Sequence, residues 1–166
     1  MKRRPLLQYL VLCGASAVAG AAAPVLGRGA SDAPAIEALR LSNAQWRERL
    51  TPAQYAVLRD EGTERAHSSA LNAEKRTGRF RCAGCDLALF DSSTKYDSGT
   101  GWPSFHTALP GAVATKLDFK LLLPRTEYHC ARCGGHQGHV FDDGPQPTGK
   151  RYCNNGVALK FVPEHA

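Results

Sequence analysis

The sequence predicts a mostly β domain built by antiparallel pairing, with two short helices ahead of it. Three observations predict this. Apolar residues alternate at Leu117, Phe119 and Leu121 within the run from Val113 to Leu123, and again at Val157, Leu159 and Phe161. That period of two is the pattern of half-buried strands, and Phe80 opens another such run. Gly, Pro, Asp and Ser fill the intervals from Gly78 onward, as chain reversals require. Upstream of Gly78 the signals are helical instead.

Taken in order, the chain begins with MKRRPLLQYLVLCGASAVAGAAAP, residues 1–24, which has the layout of an export signal. Lys2, Arg3 and Arg4 form a positive start, an apolar run follows from Leu6 to Leu12, and Ala21-Ala22-Ala23 supplies a small-residue end. Arg3-Arg4 before Pro5-Leu6-Leu7 is a twin-arginine-like arrangement, which would export a folded protein. The stretch is almost long enough to span a bilayer, so an uncleaved anchor is the alternative to cleavage. A periplasmic or otherwise exported location is expected. Residues 25–40, rich in Ala, Gly and Pro, read as a linker, and the domain is expected over 41–166. The formal charge is +6, but without Lys2, Arg3 and Arg4 it falls to +3 with no basic run left, which argues against direct nucleic-acid binding.

Two helices follow. Ser42 with Gln45 three residues on makes a capping box, and Thr51-Pro52-Ala53-Gln54 repeats it with proline in the first turn. Trp46, Leu50, Tyr55 and Leu58 supply the apolar face, and Gly62 is placed to end the second helix.

An oxidising compartment requires every cysteine to be accounted for. Of the six, Cys13 would leave with the signal. FRCAGCD (80–86) and YHCARCGG (128–135) repeat one pattern, an aromatic, one residue, C-x-x-C and a turn former. Two such turns place Cys82, Cys85, Cys130 and Cys133 as the ligands of a tetrahedral Zn2+. Four protein ligands close the shell, so this zinc is structural, and a zinc hydrolase, which needs an open position, is disfavoured. Two disulfides are the competing assignment. A dithiol redox centre is weaker, because no helical pattern follows either pair.

Cys153, in KRYCNNG, is then the odd thiol. Arg151 before it favours thiolate, the nucleophilic form. GGHQGHVFDDGP places His136 and His139 three apart in a glycine-rich turn, suited to proton donation once thiolates satisfy the metal. DSGTGWPSFH displays Trp102 and Phe105, either able to wall a small apolar pocket.

These motifs in order, GTGWPSF, the two C-A-x-C pairs, GGHQGHVFDDGP-x-PTGKRYC and the asparagine two places on, resemble the methionine-R-sulfoxide reductases of the MsrB type over roughly residues 42–162. The resemblance implies two small antiparallel sheets with short N-terminal helices and a four-cysteine structural zinc. It implies Cys153 as nucleophile, with His136, His139, Arg151 and Asn155 as polar active-site residues. Trp102 would receive the substrate methyl group, and Phe141 would contribute to the pocket. The substrate would be methionine R-sulfoxide, free or in proteins, and a sulfenic acid would form on Cys153. Where many relatives carry a resolving cysteine this chain has Thr100, so an external thiol, such as a thioredoxin-like protein, is expected to regenerate it. Asn154 and Gly156 are smaller departures. A monomer is expected. The reading from another class is a non-enzymatic zinc module that binds a protein or peptide, with Cys153 buried and inert.

Overall fold

Both helices start where their side chains can answer unpaired backbone donors. In the computed structural model, which describes residues 36–121 and 123–164, α1 spans Asn43–Arg49 and α2 spans Pro52–Leu58. Ser42 and Thr51 each accept from the amide three residues on, and Gln45 and Gln54 return the bond to the cap amides. The second helix stops at Leu58, before the expected Gly62; the Gly62 amide instead reaches back to Ala56 O at 2.9 Å. The export signal read at 1–24 lies outside the described residues. Among the described residues, no helix is long and apolar enough to cross a membrane. The end of the 25–40 stretch lies against the domain, with Leu39 N donating to Arg132 O at 2.7 Å.

Among the described residues, nine strands make two antiparallel sheets, as the resemblance implies. They are β1 (Gly78–Cys82), β2 (Ala88–Asp91), β3 (Lys95–Tyr96), β4 (Ser104–Phe105), β5 (Val113–Asp118), β6 (Arg125–Cys130), β7 (His136–Phe141), β8 (Arg151–Asn154) and β9 (Leu159–Pro163). One sheet has the order β2-β1-β9 and the other β3-β4-β8-β7-β6-β5. Aromatic side chains from both sheets form the core. Phe90 stacks on Phe105 with centroids 4.2 Å apart, Phe80 meets Phe105 edge-on at 4.9 Å, and Tyr128 meets Tyr152 at 5.2 Å. Phe80, Phe90, Phe105 and Tyr128 are fully buried, and each such burial contributes roughly 1.5–3 kcal/mol.

Three local expectations are corrected. The run to Leu123 is not a half-buried strand: β5 ends at Asp118, and Leu117, Phe119, Leu121 and Leu123 are exposed while Asp118 is buried. Asp118 turns inward because it is paired there with Arg125 and His139, so its apolar neighbours face out. His136 and His139 lie on β7, not in a turn, because β6 and β8 flank that segment and saturate its backbone. Val157 belongs to a short 3-10 turn, Gly156–Ala158, ahead of β9.

The C-x-x-C repeat is also a structural repeat. Each knuckle begins at a strand end, and Cys82 N and Cys130 N donate to the carbonyls five residues on, Leu87 O and Gly135 O. Asp86 N and Gly134 N return to Cys82 O and Cys130 O, with φ of 65° and 67° at these two residues. The left-handed position explains the glycine in one knuckle and tolerates aspartate in the other.

Candidate active site

Strand register assembles the site. In antiparallel sheets, directly opposed residues share a face. Tyr96 opposes Ser104, Ser104 opposes Cys153, Cys153 opposes His139, His139 opposes Glu127, and Glu127 opposes Lys116. One row therefore crosses all six strands with Cys153 and His139 side by side. Two residues further along, the same face carries Asp118 opposite Arg125 and Phe141 opposite Arg151. His136 joins this face by a bulge. Tyr128 pairs with Gly138 but His129 with His136, leaving Gln137 as the extra residue. Without that bulge, residues three apart would point to opposite faces. The two imidazoles lie 5.5 Å apart. Gly138 is required by the close approach of β8, since a Cβ there would sit 1.9 Å from Cys153 O.

Cys153, His139, Trp102, Phe141 and Asn155 line one cavity of about 140 Å³, with Thr63 and Arg125. Burial pushes the Cys153 thiol up from its ordinary value, while Arg151 and the Thr100 hydroxyl pull it down. Arg151 is therefore not enough to make the resting thiol acidic, contrary to the simplest reading of its position. Its guanidinium forms a fork with Asp143, both contacts 2.8 Å, and lies 4.3 Å over the Phe141 ring. It stands behind the pocket wall.

His139 Nε2 is 2.7 Å from Asp118 Oδ2, which fixes the tautomer with Nε2–H toward the carboxylate and leaves Nδ1 for another partner. Asp118 is held well below the carboxylate range by the Lys120 amide first and then by His139 and Arg125. The His139 pKa is lowered by burial, with Asp118 opposing and Arg125 and His136 reinforcing. His136 is buried outside the cavity lining. Its Nδ1 sits 3.0 Å from Glu127 Oε1, out of hydrogen-bond alignment, and Glu127 is also paired with Lys116 at 3.0 Å.

Asn155 is a strut. Its Oδ1 accepts from Glu64 N at 2.9 Å and its Nδ2 donates to Gln137 O at 3.0 Å, so both ends of the amide are committed to backbone. Glu64 O accepts from the Trp102 indole at 3.1 Å, and the Glu64 carboxylate caps the Gly156 and Val157 amides. The segment at Thr63 and Glu64 thus ties Trp102 to the strand that carries Cys153. Sequence reasoning did not find Asp118, Glu127, Arg125, Glu64 or Gln137. The signal for the first three was the complementary charge on facing strands, Lys116 and Asp118 against Arg125 and Glu127, legible only with the register.

The four other cysteines of the described residues are buried, and their ligand atoms all lie within 4.8 Å of one another. Cys82 Sγ is 3.7 Å from Cys133 Sγ and Cys85 Sγ is 3.4 Å from Cys130 Sγ, with all four thiols free. A tetrahedral zinc with Zn–S near 2.3 Å separates its sulfurs by roughly 3.8 Å, so the set fits a metal and not two disulfides. Arg49, Arg59 and Arg132 donate to Gly84 O, Cys133 O and Cys85 O, setting three cations around a site whose sulfurs would be thiolates on a metal. Gln137 Nε2 reaches Cys82 Sγ at 3.4 Å, so one buried side chain joins the knuckles to the strand beside Cys153.

The SelR domain family matches residues 50–163. The chain is 54% identical over 122 residues to the peptide methionine sulfoxide reductase B1, chloroplastic, of Arabidopsis thaliana, covering 73% of this chain and 60% of that protein. It is 53% identical over 123 residues to the peptide methionine sulfoxide reductase MsrB of Agrobacterium fabrum, with 74% and 91% covered. The corresponding protein of Methanosarcina barkeri is 50% identical over 129 residues, with 77% and 91% covered. The chain thus spans about three fifths of the plant relative's length and about nine tenths of the other two.

Proposed function

Because the chain belongs to the SelR-domain family of B-type methionine sulfoxide reductases, we propose that it reduces methionine R-sulfoxide at the Cys153 pocket. The observation that carries this reading is the placement of a thiol and a carboxylate-backed imidazole as neighbours in one small, aromatic-walled cavity. A sulfoxide sulfur is a weak electrophile until its oxygen is protonated, so acid and nucleophile must converge. Cys153 thiolate attacks the sulfur while His139, protonated at Nδ1, gives its proton to the oxygen. The oxygen then passes from the substrate sulfur to Cys153 Sγ as the S–O bond and the transient bond between the two sulfurs break, so methionine leaves and Cys153 holds the oxygen as a sulfenic acid. Methionine sulfur gains two electrons and Cys153 loses two. An external dithiol then forms a mixed disulfide with Cys153, releasing water, and its second thiol frees Cys153. Trp102 and Phe141 hold the S-methyl group, Arg151 restrains Phe141, and His136 packs behind His139. Asn155 positions the Trp102 loop and β8.

We assign zinc to the four-cysteine cluster, where Cys82, Cys85, Cys130 and Cys133 would hold it and it would supply structural cross-linking only. Export by the signal-like N-terminus and service by a thioredoxin-like reductant complete the reading, and the site is complete within one chain. The test is turnover of each epimer of a blocked methionine sulfoxide with dithiothreitol. Loss of the R epimer alone is expected; equal consumption of both, or of neither, by folded, zinc-loaded protein would overturn it.

The pH profile follows from the two shifts. The reactive pair is thiolate with imidazolium, and burial raises the Cys153 pKa above its ordinary value while it lowers that of His139. Between these values the thiolate fraction rises tenfold per pH unit as the imidazolium fraction falls tenfold, so their product is constant. Single-turnover kcat/KM should therefore be flat across the interval between the two pKa values, an interval widened at both ends by burial, and fall outside it. Asp118→Asn removes the charge that supports His139 protonation. Each unit lost from the His139 pKa lowers the plateau about tenfold and moves the acid limb down by the same unit. A plateau that keeps its height and limb would remove His139 as the acid.

A further inference from the structure

The same hairpin that disobeyed its alternation leaves an apolar surface beside the pocket. Leu117, Phe119, Leu121 and Leu123 are 64%, 69%, 59% and 78% exposed. Clusters of large apolar side chains in water usually mark a binding surface. Leu121, Leu123, Pro124 and Val140 line a groove of about 750 Å³, and Arg125 and Phe141 line both this groove and the Cys153 cavity. The two share these walls.

We propose that this groove binds the apolar residues flanking the oxidised methionine in an extended polypeptide, a substrate class that rests on the sulfoxide-reductase reading above. Size separates the two subsites. The cavity of about 140 Å³ has room for one side chain, well below the ~300–1,000 Å³ of pockets that enclose a whole ligand. The rest of a peptide must lie outside it, and the groove that shares Arg125 and Phe141 with it is the apolar surface at hand. An extended chain directs alternate side chains to one side, so residues near the sulfoxide reach the groove without a turn. Charge favours an apolar polypeptide over an anionic lipid surface. Lys116 is paired with Glu61 and Glu127, Lys120 with Glu61, Arg125 with Asp118 and Lys150 with Asp142, so the cations around the patch already have carboxylate partners.

The test compares three R-sulfoxide substrates on the full chain, a blocked amino acid, a glycine-flanked pentapeptide and a leucine-flanked pentapeptide, for wild type and the Leu121→Ser/Leu123→Ser double variant. Wild type is expected to show a kcat/KM for the leucine-flanked peptide about tenfold above that for the glycine-flanked one. The double variant should reduce that ratio to within about twofold, with turnover of the blocked amino acid equal in both proteins. Failure of all three substrates overturns the sulfoxide-reductase reading itself. Turnover of all three without the leucine preference overturns only the groove. So does a preference that survives the double substitution. Sedimentation velocity and flotation with anionic vesicles, run on the same pair, identify the other occupants. Loss of a dimer or of vesicle binding in the variant, without a peptide preference in wild type, gives the surface to a second copy or to a membrane. A leucine preference that emerges only after removal of residues 1–35 gives it to the chain's own N-terminal segment, and each of these results overturns the proposal.

Discussion

Cys153→Ser eliminates turnover of the R epimer, with kcat/KM falling by at least about 10⁴-fold, while the protein stays folded. The size of the loss follows from chemistry. A serine hydroxyl ionises far less readily than a thiol and does not accept an oxygen in a reversible two-electron step. The fold survives because the exchange is nearly isosteric and the β8 backbone remains paired with β4 and β7. Thermal unfolding of the variant should lie within a few degrees of wild type. The same experiment separates this reading from an inert binding module. With substrate and no reductant, a sulfenic-acid trap should label wild type on Cys153 and leave the knuckle cysteines unlabelled, because among the described residues no other thiol lines the pocket and Thr100 stands beside it. Labelling of a knuckle cysteine, or a Cys153→Ser variant that retains turnover, would displace Cys153 from its role.

Cys130→Ser leaves the chain unfolded at 25 °C. The knuckles join β1 of one sheet to β6 of the other, and α1 and α2 pack over them through Trp46 and Leu58, near Gly84. Structural zinc contributes roughly 10–16 kcal/mol of apparent binding free energy, comparable to the ~5–15 kcal/mol by which whole domains are stable. Losing one of four thiolates forfeits most of it and leaves three cysteines and three arginine-capped carbonyls without the ion they surround. Metal analysis should find one zinc per wild-type chain and none in the variant, with the far-ultraviolet circular dichroism of the variant lacking the β signal. A folded, metal-free Cys130→Ser protein would show that the core holds the two sheets together unaided.

The helices and knuckles were legible because each is a local bargain between neighbours in sequence. Ser42 with Gln45, Thr51 with Gln54 and the two C-x-x-C turns close their own hydrogen bonds within a few residues. The strand from Val113 was misread for the opposite reason. Alternation shows that a strand has two faces but not which is buried, and here Asp118, paired with Arg125 and His139, and Glu127, paired with the exposed Lys116, are buried while Leu117 and Phe119 face water. His136 and His139 read as turn residues because their glycines are turn formers in isolation. In the fold Gly138 serves close strand packing and Gln137 forms a bulge.

By itself the sequence determined the residue types of the chemistry: four cysteines in two matched turns, one further thiol in the domain at Cys153, the paired histidines His136 and His139, and an aromatic wall. Motif spacing specifies these because each depends on covalent neighbours. Only the tertiary structure decided which groups act on one another. Register brought Cys153 beside His139 and set Asp118 behind it, and the fold committed the Asn155 amide to backbone and left Leu121 and Leu123 facing water. Those relations join residues tens of positions apart through strand pairing, and the free energy that selects one pairing is distributed over the whole core.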